Sequence, residues 1–143
     1  MQRRYYGEEY GDMKSIEGRY YKQVTLDDLY EILRKAWCKE TAYPACQEEW
    51  VKTDPSYGQC AITAMIVQDI FGGTIHRIGA SGEGTHYFNK INGHYIDLTV
   101  EQFDLYNIPV SYELNEEMDR SYCGRNEDTA KRYKLLLERI GGR

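Results

Sequence analysis

The sequence contains no apolar run approaching the ~20 residues that a membrane-spanning helix requires. It also lacks any excess of positive charge: 18 Lys and Arg stand against 23 Asp and Glu, a formal net charge of -5. A dominant contact to nucleic-acid phosphates, which needs clustered Lys and Arg, is therefore not expected. Nor is a secretory leader visible, since Met1-Gln-Arg-Arg-Tyr5 is followed by acids and glycines rather than an apolar stretch. CxxC, HxxxH and HExxH spacings are absent. His76, His86, His94, Asp97 and the cysteines are ligand types, but they form no metal motif. There is no internal repeat and no low-complexity block. With 143 residues and 41% hydrophobics, the expectation is one soluble, cytoplasmic domain with no nucleic-acid or membrane partner, no metal and no cofactor. Its oligomeric state is not legible.

What the chain does have is tyrosine, 14 of them against 3 Phe and 2 Trp. It also has four cysteines, Cys38, Cys46, Cys60 and Cys123, read as thiols rather than a disulfide framework in an unsecreted chain. Residues 1–23 carry Tyr5, Tyr6, Tyr10, Tyr20 and Tyr21 as their large apolar groups. They read as a tail, or as an arm docked through those rings, ahead of a single domain over 24–143. Thr25 followed by Asp28 is a capping-box pattern, and Leu26, Leu29, Tyr30, Leu33, Ala36 and Trp37 predict an amphipathic helix over 26–37. Residues 38–58 are irregular, punctuated by Pro44, Pro55 and Gly58. From 60 to 71 nearly every residue is apolar, which predicts a central helix packed on more than one side and ended by Gly72-Gly73. A strand over 74–78 and a hairpin over 85–99 turning at Asn92-Gly93 follow. Thr99 and Gln102 have capping-box spacing for a short helical turn, and Ala130, Tyr133, Leu136, Leu137 and Ile140 mark a C-terminal helix. This order of elements predicts an α+β fold.

Cys60 is the cysteine with chemical promise. As first residue of the central helix it faces unpaired N–H groups and the positive end of the dipole, which favour thiolate and could stabilise an oxyanion. Gly58 permits the tight turn that presents it, and Gln59 could donate a side-chain hydrogen bond. The hairpin supplies partners. With Asn92-Gly93 as a two-residue turn, His86, Phe88, Lys90, Tyr95, Asp97 and Thr99 share one face, and Tyr87, Ile91, Ile96 and Leu98 form the core face. His86 and Asp97 are then diagonal neighbours, so a carboxylate can hold one imidazole nitrogen and leave the other to take a thiol proton. A helix-terminal Cys, a strand His and a strand Asp together point to thiolate catalysis.

Tyr57-Gly58-Gln59-Cys60, His86-Tyr87-Phe88-Asn89 and Asp97-Leu98-Thr99 resemble the transglutaminase-like branch of the papain-like cysteine enzymes. Adding Pro55-Ser56, Ala61, Gln68-Asp69-x-Phe71-Gly72-Gly73 and Gln102-Phe103, the sequence over about residues 25–105 resembles the YunG-like family. The resemblance implies a papain-like or transglutaminase-like fold, with the nucleophile Cys at the start of a central helix packed on an antiparallel sheet. It implies Cys60 as nucleophile, His86 as general base and then general acid, and Asp97 as the orienting group. Gln59, the Cys60 amide, Gly58 and Asn89 become oxyanion or binding residues. The implied activity is an amide or ester hydrolase or an acyltransferase acting on a peptide, an amide or a small acyl substrate. Ala61 departs from the Trp that transglutaminases carry after the Cys, and the short Cys60-to-His86 connection argues against protein cross-linking.

Other readings compete. A zinc site would need three or four convergent ligands, yet His86 and His94 fall on opposite hairpin faces. Cys38 and Cys46 fit no redox spacing. Gly79-Ala-Ser-Gly82-Glu-Gly84 has the glycine of a phosphate loop without the strand-to-helix setting, and reads as a flap bordering His86 that could gate the site. The main non-catalytic alternative is a binding or interaction module on a papain-like fold, with tyrosines supplying contact area.

Overall fold

The computed structural model describes residues 3–80 and 84–141. The helix α1 (Leu26–Ala36) starts at a closed capping box: the Asp28 N–H donates to the Thr25 hydroxyl, and the Thr25 N–H donates to the Asp28 carboxylate. Its buried stripe is Leu26, Leu29, Tyr30, Leu33 and Ala36. The second helix, α2 (Cys60–Phe71), buries eight of its twelve residues between the sheet and the C-terminal helices, as its all-round apolar sequence requires. Gly72 and Gly73 end it with φ of 79° and 77°. A Cβ on Gly73 would stand 2.2 Å from the Lys90 carbonyl oxygen, so only glycine fits this passage into the sheet.

The strands β1 (Thr74–Ala80), β2 (Gly84–Ile91) and β3 (His94–Ile96) are followed by α3 (Glu101–Asp104), β4 (Glu116–Met118), α4 (Arg120–Gly124) and α5 (Glu127–Arg139). The four strands form one antiparallel sheet in the order β3-β2-β1-β4, and the fold is α+β. Asn92 and Gly93 both have positive φ, 51° and 84°, and their turn pairs Ile91 with His94 and Lys90 with Tyr95. Among the described residues no helix is long and apolar enough to cross a membrane. Residues 81–83 of the expected flap lie outside the described residues.

Three details differ from expectation. The strand β4 and the helix α4 carry no clear periodicity, being 3 and 5 residues long, and were not anticipated. Thr99 does not cap α3. Its hydroxyl donates to Asp97, and Ser56 Oγ accepts from the Gln102 N–H instead. The His86 face of the hairpin is also buried, since the segment after β3 folds over it: Tyr112 packs edge-on to Phe88 at 4.9 Å and Phe103 edge-on to His86 at 4.7 Å.

The N-terminal segment packs on this core. Tyr5 is fully buried beside Tyr30, and its hydroxyl donates to Asp27. Tyr6 exchanges two backbone hydrogen bonds with Asp97 and stacks on Tyr112 at 4.1 Å. Ile16 N–H donates to the Ile70 carbonyl and the Tyr20 hydroxyl to the Ile140 carbonyl. Tyr5→Ala is expected to lower stability by about 3 kcal/mol in urea unfolding, the scale of a deleted core aromatic. A loss below about 1 kcal/mol would show that the arm is no part of the core.

Candidate active site

Segment 54–59 turns the chain into α2. Tyr57 N–H donates to the Asp54 carbonyl at 3.2 Å and Gln59 N–H to the Ser56 carbonyl at 3.1 Å. Gly58 has φ of 75°, and a Cβ there would lie 2.9 Å from Cys46 Cβ and 3.1 Å from the Tyr43 nitrogen. The turn therefore needs glycine at 58. It delivers Cys60 as the first residue of α2, with no side chain capping the helix, so its N-terminal N–H groups and positive dipole end act on the thiol. A cleft of about 760 Å³ opens here, lined by Gly58, Cys60, His86, Gln102 and Phe103 among others.

His86 stands on the interior strand β2, 1% exposed, and its Nε2 donates to Asp97 Oδ2 at 2.6 Å. Asp97, equally buried, also accepts from the Tyr112 hydroxyl at 2.7 Å on Oδ2. Its Oδ1 accepts from the Thr99 N–H at 3.1 Å and the Thr99 hydroxyl at 3.2 Å. Burial favours the neutral acid, but the charge and hydrogen bond of His86 and the donors Tyr112 and Thr99 outweigh it, and the Asp97 pKa is lowered. Burial likewise disfavours an imidazolium. The charge and hydrogen bond of Asp97, with the nearby Cys60, reverse that and raise the His86 pKa. Burial pushes the Cys60 thiol up, yet the contact and charge of His86 leave it lowered. The direct field of Asp97 opposes this but does not reverse it. Both shifts run in the sense that favours thiolate beside imidazolium, with a buried carboxylate behind them. His86 Nδ1 is buried without a well-aligned hydrogen-bond partner, yet the ring lies close enough to the Cys60 thiol for each to shift the pKa of the other.

Cys60, His86 and Asp97 thus converge, and Gly58 borders them on the cleft wall. Two expected residues do not join them. Gln59 is 0% exposed and absent from the cleft lining; its Oε1 accepts from the Thr41 hydroxyl at 2.8 Å and its Nε2 donates to the Cys38 carbonyl at 3.0 Å. Its amide pins the preceding loop, which leaves the backbone N–H groups of the helix start as the donors beside Cys60. Asn89 points the other way from the sheet and donates to the Ala64 carbonyl of α2 at 2.9 Å, which makes it a strand-to-helix clamp. Alternation along β2 explains this: His86 and Phe88 share a face, and Asn89 lies on the opposite one.

Sequence reasoning missed Tyr112, which lies in an irregular segment 15 residues from Asp97. Only the tyrosine excess hinted at such a donor. It also missed how the quoted Ser56 and Gln102 work. Ser56 Oγ donates to the Thr99 carbonyl at 3.2 Å; Gln102 Nε2 donates to the same oxygen at 3.0 Å, and Gln102 Oε1 accepts from the Gly58 N–H at 3.4 Å. These bonds join the Cys60 turn to the Asp97 segment. The cysteines are all thiols, and among the described residues no group of three His, Cys, Asp or Glu could hold a metal. His76 instead bonds Thr74 and Asn115, and His94 stacks on Tyr10.

Among known proteins, the family model described as YunG protein matches residues 25–143, so the likeness seen over 25–105 runs on through α5. The chain is 34% identical over 108 residues to "Uncharacterized protein YunG" of Bacillus subtilis (strain 168), an alignment covering 75% of this chain and 84% of that protein. No solved structure matches it.

The thiol provides a pH test. Because the Cys60 pKa is lowered, its alkylation by iodoacetamide, followed by peptide mass mapping, should rise with pH through a midpoint below the ~8.5 of an ordinary thiol. In His86→Ala the burial penalty remains without its compensation, so the midpoint should move above that value. An unchanged midpoint would remove His86 as the activating group.

Proposed function

The chain belongs to the YunG protein family, and for it we propose a cysteine-dependent acyl-transfer activity with Cys60, His86 and Asp97 as the working triad. The observation that carries the reading is the buried His86, held through Nε2 by Asp97 at 2.6 Å, with Nδ1 unpartnered beside a thiol at a helix N-terminus. A central helix headed by Cys60 and packed on an antiparallel sheet is also what supports placing the fold with the papain-like and transglutaminase-like enzymes.

In this mechanism the Cys60 thiolate attacks an amide or ester carbonyl carbon. A C–S bond forms, and the carbonyl pair moves to oxygen, where N–H groups at the start of α2 stabilise it. Collapse breaks the C–N or C–O bond, and the His86 Nδ1 proton goes to the departing amine or alcohol. Water or an amine then gives its proton to Nδ1 as it attacks the thioester. Loss of the C–S bond returns thiolate and imidazolium. Asp97 stays ionised throughout and holds the ring. Tyr112, whose pKa is raised by burial and by Asp97, remains a phenol that donates to it.

The cleft volume suits a small molecule or a single side chain more than a protein–protein cross-link. The binding-module alternative drew on the N-terminal tyrosines, but Tyr5 is buried and Tyr6 and Tyr10 stack on the protein's own Tyr112 and His94. These three offer little free contact area, and Tyr21 is the exposed ring of the segment.

Intact-mass screening against activated acyl esters and peptide thioesters should find one acyl adduct, located at Cys60 and released by hydroxylamine. Cys60→Ala should lose the adduct and all turnover with an unchanged unfolding midpoint. His86→Ala should lose more turnover than Asp97→Asn, on the order of 100-fold or more for the general base. Full turnover by Cys60→Ala would end the proposal.

A further inference from the structure

Among the described residues, two buried side-chain nitrogen or oxygen atoms lack a hydrogen-bond partner: His86 Nδ1 and Asp54 Oδ1. Both residues line the same cleft. Buried polar atoms are almost always paired, so each orphan calls for a cause. The acyl-transfer reading accounts for the first and leaves the second unexplained.

Asp54 is 4% exposed and stands on the turn that leads to Cys60. Burial raises its pKa, and the nearby Glu101 adds to the rise, while the Tyr106 hydroxyl opposes it. When ionised, this carboxylate is a desolvated anion short of a counter-charge. The positive charge of His86 is held by Asp97 and does not supply one. Among the described residues that line the cleft Arg132 is the one Arg or Lys, and its guanidinium is committed to Asp128 at 2.8 Å, the Thr41 carbonyl at 3.2 Å and the Thr129 hydroxyl at 3.4 Å. Glu49, also on the cleft wall, adds negative charge. Tyr57, whose hydroxyl donates to Glu49, and Tyr106, whose hydroxyl hydrogen-bonds Asp54, add aromatic rings to the wall, a surface type compatible with a cation.

We infer that Asp54 is the specificity residue of the cleft and holds a protonated amine carried by the ligand that Cys60 acts on. The inference rests on Cys60 being the reactive group of this cleft. An ammonium would bring both the missing donor and the missing charge. A neutral alcohol or amide brings only a donor, and a carboxylate or phosphate meets Asp54 and Glu49 as like charges.

The test uses three methanethiosulfonate reagents of similar size: aminoethyl (cationic), propyl (neutral) and sulfonatoethyl (anionic). Each transfers its thioalkyl group to a thiolate, forming a disulfide and releasing methanesulfinate. Rates at Cys60 are read by peptide mass mapping, with Cys46, which shares the cleft, scored separately, and are divided by those of a free small thiol. The cationic reagent should be favoured over the neutral one by about tenfold, with the anionic one slowest. In Asp54→Asn that preference should fall to the free-thiol ratio, whereas Glu49→Gln and high salt, which remove or screen an exposed charge, should leave most of it. No cationic preference in the wild type overturns the inference. So does a preference that survives Asp54→Asn, or one that Glu49→Gln or salt abolishes as fully. A neutral reagent that modifies Cys60 no faster than Cys38 would instead defeat the acyl-transfer reading, with the charge preference still measurable on its own.

Discussion

Asp97 is a carboxylate buried to 1% exposure, and a charge taken that far from water persists only where donors replace its hydration. Four converge on it, from three parts of the chain: His86 on β2, the Thr99 backbone and hydroxyl just beyond β3, and Tyr112 in the segment after α3. The N-terminal arm closes the set without touching the carboxylate, pairing Tyr6 with the Asp97 backbone and laying its ring on Tyr112. The same cradle that makes the charge tolerable fixes the His86 ring and keeps it protonated. Removing a donor would disturb stability and chemistry together, because both depend on one ionised oxygen pair.

The Cys60 thiol reaches that pair through a second, smaller constraint. Cys60 is placed by its turn, and the turn is tied to the Asp97 segment by Ser56, Gln102 and the Gly58 N–H. The head of α2 is further set by Asn89, clamped to the Ala64 carbonyl, and by Gln59, buried against Thr41 and Cys38. Polar residues near the site thus serve mostly to hold it. Asp54 stands apart, since its Oδ1 holds nothing within the described residues.

The legible parts were those with a local cause. The capping box at Thr25 and Asp28 marks the start of α1, an unbroken apolar stretch ending in two glycines delimits α2, and Asn92-Gly93 sets the register of β2 on β3. From that register alone, His86 and Asp97 fall within side-chain reach. The same logic failed where a local pattern met a stronger distant partner. Thr99 and Gln102 have capping-box spacing, but Thr99 is drawn to a buried charge and the Gln102 N–H to Ser56. Gln59 sits next to Cys60 in sequence, yet its side chain finds Thr41 and turns away from the cleft.

From the amino-acid order by itself, then, came the α+β class, a thiol at the head of a buried helix, and a His and an Asp on one hairpin face. Caps, turns and periodicities act over a few residues and leave a mark at that range. Only the tertiary structure decided which groups complete the site. Tyr112 reaches Asp97 from 15 residues away, Ser56 meets Thr99 across 43, and Arg132 is spent on Thr41 across 91. Contacts at such separations follow no period. They arise where burial forces each polar atom to find a partner among whatever the packed chain has brought near.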